Sequence, residues 1–404
     1  MKPRFTKTSL SYWSLAGSWF CSLTLSTSLQ AAAYIPASEQ TVVAVLPNYL
    51  QANSEAIRSF KRVLEQDPYS LEANVGLARL YIELGRSEAD PRYYGYAETV
   101  LQPWWTEATP PPEVLLLRAT LRQHQHDYAA ALQDLKQLVR LQPNSSQGWL
   151  TLAVVQWVQG DYSAARKTCN ALLTQASTWY GSLCFSQVLS FTGDAERAYA
   201  LQASLLPSFN QNSLELQQWV TTNLAEIAWR LGKLSLAEEH FQQALAIKRR
   251  DNYLLRVYSD FLLSEQRPQE VLTLLKDKGS DDALLLRLAL ASQQAQQTKQ
   301  TQAYRHQLEA RYEAARLRQS SLHRRDEALY LLSFAGDSKQ ALALAQANWA
   351  EQKEAEDTTL LLRAALANQD WVTARKVQVW LAQTEQQDAR LQALLVQIPV
   401  EQTL

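Results

Sequence analysis

Residues 113–143 read EVLLLRATLRQHQHDYAAALQDLKQLVRLQP, and residues 149–162, WLTLAVVQWVQGDY, repeat its first half in kind. A shift of 34 residues, about the length of one helix-turn-helix repeat, puts Leu115 on Trp149, Ala119 on Ala153, Asp127 on Asp161, Tyr128 on Tyr162, Ala131 on Ala165 and Leu138 on Leu172. Each copy carries an apolar helical run, a short turn and a second run that begins with alanine. Two antiparallel helices approach closely only where side chains are small, so Ala153 and Ala165 mark their contact line and bulky residues wedge the space on either side. A unit of this kind cannot bury its apolar face alone, and stacking copies builds a continuous core.

The rest of the chain fits such a stack. Its 404 residues are 47% hydrophobic and 20% charged, with 11 glycines and 13 prolines among abundant Ala, Leu and Gln, a composition that favours helices over sheets. Other copies of the pattern are partial. Leu77, Ala78 and Tyr81 fill one first helix, Ala56, Phe60 and Pro68 an earlier second helix, and Leu224, Ala225, Ala237, Phe241 and Ala244 a later pair. On these residues the sequence resembles the tetratricopeptide repeat family. The resemblance implies an all-α, right-handed superhelical solenoid of about nine antiparallel helix pairs.

The pairs are expected near 71–102, 112–143, 146–177, 180–206, 216–250, 252–277, 282–318, 322–353 and 356–385, with single helices near 53–66 and 387–397. Gly85, Gly160, Gly193, Gly232 and Gly336 suit turns that need positive φ after a helix end. Three features depart from the pattern. Residues 88–96 lengthen one turn, Pro110, Pro111 and Pro112 interrupt the stacking, and the unit at 282–318 has long helices. They predict two stacked blocks, 53–210 and 211–404, after an irregular segment at 34–52.

The first seven residues carry Lys2, Arg4 and Lys7, and no further charge appears before Glu39. A basic start, an uncharged and serine-rich apolar stretch and the small residues Ala31, Ala32 and Ala33 describe a secretory signal peptide at 1–33, cleaved near Ala33. The alternative is an uncleaved anchor. Removing 1–33 leaves 36 Lys plus Arg against 40 Asp plus Glu, and no basic run is long enough to follow a phosphate backbone, which argues against nucleic-acid binding. His323, Arg324 and Arg325, followed by Asp326 and Glu327, read as a solvated helix start. The mature chain has no apolar stretch of membrane-spanning length. The expected location is the periplasm.

No catalytic motif, metal-ligand set or cofactor fingerprint appears. His124 and His126 lie two apart near a turn, do not share a helical face, and lack further ligands besides Asp127. A non-enzymatic protein without metal or cofactor is the expectation. Beyond residue 33 the cysteines are Cys169 and Cys184, on facing helices of adjacent units and equally distant from the turn at Ala176 and Ser177. That placement suits a disulfide in an exported protein, the alternative being two buried thiols.

The resemblance also implies a binding surface, because such arrays line their concave groove mainly with the first helix of each unit. The corresponding positions are Leu150, Val154, Trp157 and Val158, then Trp219, Glu226, Trp229 and Arg230, then Tyr253, Arg256 and Asp260. Aromatic anchors mixed with charge suit an extended peptide or a partner helix. The Lys and Asn set that clamps a peptide's terminal carboxylate in chaperone-binding members is missing. Trp149 takes a packing position and is expected in the core. The function so implied is a protein-binding scaffold of the cell envelope, with a polysaccharide-handling or membrane-complex assembly role of the same groove as the alternative.

Overall fold

The computed structural model describes residues 48–88, 90–208, 214–247, 251–318 and 323–399. The expected signal peptide at 1–33 lies outside them. The end of the segment expected to be irregular, 48–52, is instead the start of helix α1 (Asn48–Gln66). No strand occurs among the described residues. Residues 52–404 form one compact unit.

Helices follow one another in antiparallel steps. After α1 come α2 (Leu71–Glu88), α3 (Arg92–Val100), the single turn α4 (Gln102–Trp105), α5 (Pro112–His124), α6 (Tyr128–Leu141), α7 (Ser146–Val158), α8 (Tyr162–Gln175), α9 (Thr178–Leu189) and α10 (Ala195–Leu205). Then come α11 (Leu214–Arg230), α12 (Leu234–Ala246), α13 (Asn252–Ser264), α14 (Pro268–Leu274), α15 (Asp282–Gln294), α16 (Thr298–Leu317) and α17 (Arg324–Tyr330), which runs on into a π turn at Leu331–Ala335. The last four are α18 (Ser338–Glu351), α19 (Ala355–Ala367), α20 (Trp371–Thr384) and α21 (Ala389–Leu395). Most helices pack on the next, so the described residues form an all-helical solenoid of stacked hairpins.

The hairpin turns share one local device. A residue in the left-handed region ends the first helix, and the following residue opens the second. Before four of the second helices that residue is an aspartate whose carboxylate accepts from a backbone N–H: Asp127 from Ala130 (3.2 Å), Asp161 from Ala164 (3.0 Å), Asp337 from Gln340 (3.0 Å) and Asp370 from Thr373 (3.1 Å). Glycine supplies the left-handed conformation at residues 160, 193, 232 and 336, whereas His126, Gln266, Gln296 and Gln369 supply it at others. The contact alanines are where the repeat demands: Ala119, Ala131, Ala153 and Ala165 are fully buried in one cluster with Leu115, Leu135 and Leu172.

Several expectations need correction. Gly85 is not a turn residue. It lies inside α2, where a Cβ would come within 2.9 Å of the Tyr94 ring, so it is a close-approach glycine. Residues 92–96 do not lengthen a loop but form the first turns of α3, whose Tyr93 and Tyr96 pack around Tyr81. The prolines break the helix without breaking the stack, because Pro112 serves as the first residue of α5 and α5 packs on α2 and α3. Trp149 is half-buried and not core; its Nε1 donates to the carbonyl of Pro143 at 2.8 Å. Arg325 and Asp326 are ion-paired and mostly covered, so 323–327 is a helix start but not a solvated one.

Cys169 of α8 and Cys184 of α9 form a disulfide with Cα atoms 5.4 Å apart. Both are fully buried. Gly181 lets the two helices come this close, since a side chain there would collide with the backbone of Leu173. α10 packs on α11, and Leu183 of α9 meets Val220 and Leu224.

Candidate functional site

The inner face is built from the first helices of successive units. The ends of α7 and α11 bring Trp157, Val158, Glu226, Trp229 and Arg230 to this face, and the start of α13 adds Tyr253 and Arg256. These residues do not face open solvent. Trp157 is 8%, Glu226 8%, Trp229 6%, Arg230 4% and Arg256 7% exposed, because the chain's own C-terminal helices fold back over them.

Two connecting segments make that contact. Between α18 and α19 the backbone is extended at Gln352 (φ −131°, ψ 136°) and at Glu354 (φ −66°, ψ 165°). There the Lys353 N–H donates to the carbonyl of Val158 at 2.7 Å, and its ammonium reaches the carbonyl of Gln159 at 3.2 Å. The Gln352 amide donates to the Tyr128 hydroxyl at 2.6 Å and meets His126 Nε2 at 2.9 Å. Ala355 is buried in the same core cluster as Trp157. Gly160 admits the lysine: it sits at φ +79°, and a Cβ there would fall 2.8 Å from Lys353 Cδ. The second segment joins α20 to α21. The Gln387 side chain accepts from the Ala195 N–H at 3.2 Å, and the Arg390 guanidinium lies over the Trp229 ring at 4.4 Å. Trp380 joins the two regions, 6.1 Å from Tyr162 and 5.4 Å from Trp349 between ring centres.

A ladder of ion pairs runs along the same interior. Asp260 accepts from Arg287 at 2.9 Å and lies 3.7 Å from Arg256; Arg287 also reaches Asp326 at 2.7 Å. Arg325 pairs with Glu354 (2.9 Å) and Asp357 (3.2 Å), and Arg390 with Asp388 (2.5 Å) and Glu356 (3.5 Å). Burial, reinforced by Glu356, pushes Glu226 up to about 7 despite the hydrogen bond it accepts from the Tyr253 hydroxyl at 2.8 Å. Burial likewise raises Asp357 to about 6 against the pull of Arg325. Glu356 goes the other way: burial opposes its charge, but Arg390, Arg256 and Arg325 together bring it down to about 2. Burial lowers His124 to about 4, with His126 adding to the effect, so the imidazole is neutral at pH 7.

The sequence-derived groove residues therefore divide. Trp157, Val158, Glu226, Trp229, Arg230 and Arg256 meet at one interior and are covered by 352–356 and 387–390 or by neighbouring units. Tyr253 keeps 40% of its surface while its hydroxyl is sunk on Glu226. Asp260 is spent in the ion-pair ladder. Leu150 and Val154 are half-buried against the core around Trp157, and Trp219 is half-buried against Leu183, Val220 and Leu224. Gln352, Lys353, Trp380, Gln387 and Arg390 complete the interior and were missed, since they occupy inter-unit segments or outer positions that the repeat pattern leaves unmarked. Among the described residues no group of three or more His, Cys, Asp or Glu could hold a metal ion, and no helix is long and apolar enough to cross a membrane.

Known proteins point the same way on fold. Residues 51–89, 116–180 and 222–251 match models described as tetratricopeptide repeat, each copy within the stack above. Repeats of this type generally serve as protein-protein interaction modules. Similar solved structures include a thermophilic tetratricopeptide-repeat protein of Thermus thermophilus, at 20% identity over 47% of this chain and 99% of that one, with a TM-score of 0.38. The human IFIT1 dimer with m7Gppp-AAAA is 12% identical over 83% of this chain and 87% of that one (TM-score 0.45). The APC/C hetero-tetramer Cut9-Hcn1 is 14% identical over 78% and 73% (TM-score 0.33). No curated protein matches the chain.

Proposed function

We propose that the chain is a non-catalytic protein-binding scaffold of the cell envelope, and that its concave face receives an extended segment of a partner protein. One observation carries this reading. The face already holds an extended peptide, Gln352–Glu354 of its own chain, through a main-chain hydrogen bond to Val158 and side-chain contacts to Tyr128 and Gln159. A surface that seats one extended strand of backbone can seat another of similar chemistry. The partner segment takes the place of 352–354, so binding and displacement are one event. Residence in the envelope is supported by the basic, then apolar, then small-residue start of the chain and by the buried Cys169–Cys184 bond, which suits an oxidising compartment.

A photo-crosslinking residue at Val154, one helical turn before the Val158 that receives the segment, tests the proposal in cells. The expected result is a discrete adduct with one envelope protein, stronger in a Lys353→Gly variant whose own segment is held less well. No adduct in either background, or the same adducts from the outward-facing position Val379, rejects it.

A further inference from the structure

The solenoid interior also contains an open cavity of about 430 Å³, within the range of about 300–1,000 Å³ typical of small-molecule sites. Its wall draws on α2, α3, α5, α13, α17 and the segment after α18. Arg86, Arg256 and Arg325 bring three guanidinium groups to it, and Glu354 is the one lining carboxylate. That carboxylate is already paired with Arg325 at 2.9 Å. His124 and His126 line it, burial lowering both, and His124 stacks on Tyr94 with centres 3.6 Å apart.

Arg256 is the unexplained member. Its side chain is only 8% exposed, and its buried Nη1 has no hydrogen-bond partner among the described residues. Its nearest anion, Asp260, lies 3.7 Å away and is engaged by Arg287 at 2.9 Å; otherwise the guanidinium rests over the Tyr253 ring at 5.0 Å. Guanidinium carries five N–H donors, and a covered one is normally met by oxygen acceptors. Arg256 lines the cavity and its Nη1 has no acceptor within hydrogen-bond distance among the described residues, so a ligand there would meet a guanidinium with donors to offer.

We infer that this cavity binds a small organic anion, a carboxylate or phosphate carried on a flat ring, with Arg256 and Arg86 on the anionic group and the Tyr94 and His124 rings beside the organic part. Charge-assisted, bidentate contact to guanidinium is the chemistry that recognises both groups. The cavity borders the strip occupied by 352–354, which supplies Gln352 and Glu354 to its wall, so ligand and a protein partner that displaces the strip compete.

Calorimetric titration of the intact protein with benzoate, phenyl phosphate and the neutral benzamide tests this. One-site binding of benzoate or phenyl phosphate is expected, with benzamide silent, and the stronger of the two anions identifies the group preferred. Arg256→Gln should weaken binding at least tenfold. Arg86→Gln, at an exposed position that leaves folding intact, should weaken it severalfold and decides the matter if the buried variant does not fold. Absence of binding by both anions, equal binding of benzamide, or unchanged affinity in Arg86→Gln overturns the inference.

Discussion

At residues 126, 266, 296 and 369 a histidine or glutamine holds the left-handed turn that glycine holds at 160, 193, 232 and 336. For an L-residue that conformation costs roughly 1–2 kcal/mol, against which glycine loses about 0.5–1 kcal/mol through its freer unfolded chain. Gln296 is exposed, at φ 58°. Gln296→Gly is therefore expected to stabilise its hairpin by about 0.5–1 kcal/mol. The denaturant midpoint should rise, and an unchanged or lower midpoint contradicts the strain argument. The same position shows what the sequence could reveal. Glycine announces a turn and marks four of these eight; His and Gln announce nothing, and the turn there is imposed by the hairpin around it. Gly85 misled for the opposite reason, because a glycine admitting a tyrosine ring and a glycine turning the chain look alike in one sequence.

Helices and their pairing were legible because each is written locally. Small residues on the contact line, an aspartate opening the second helix and a period near one repeat length fix which helix touches the next, and the hairpins follow the expected spans closely. The Cys169–Cys184 bond belongs to this level, tying α8 to α9 across the short turn between two units. Closing a loop of this size contributes about 3 kcal/mol in the chain-entropy model. Cys169→Ala with Cys184→Ala should lose stability of that order, read as a lower denaturation midpoint than the oxidised parent. Titrating unfolded protein that begins at Tyr34 should show no free thiol without reductant and two with it; two thiols in the unreduced sample would deny the bond.

The docking of the C-terminal helices was not legible at all. Periodicity reports contacts between neighbours in the stack, whereas Gln352 on Tyr128 and Lys353 on Val158 join units far apart in sequence. No local pattern marks them. Trp380 is the side chain shared by both regions, so Trp380→Ala should cost about 2–3 kcal/mol, below the roughly 3–5 of a fully buried large aromatic because the ring is only half-buried. It should also expose 352–356 to protease while leaving the helix content intact; an unchanged cleavage pattern would show that the seated segment does not depend on it.

The same closure is titratable. Glu226 begins near 4.5 in the unfolded chain and stands at about 7 in the fold, because its site beneath 353–356 disfavours the charge. Between those values the folded protein holds a proton that the unfolded chain has lost, so this group's stabilisation is full below about 4.5 and declines as pH rises through about 7. Asp357 acts in the same direction between 3.8 and about 6. His124 opposes both: held neutral down to about 4, it makes folding less favourable as pH falls below 6.5. Glu356, depressed to about 2, matters only in acid below about 4.5. From pH 6.5 to 8 Glu226 loses the last of this stabilisation, while His124, His126 and His240, all lowered by burial, act in the opposite direction. Relative to Glu226→Gln, which keeps the shape and removes the charge, the parent should lose about 1 kcal/mol of stability across that interval, read as the change in their Tm difference. Parallel pH profiles for the two proteins would mean that Glu226 is not what couples the closed solenoid to pH.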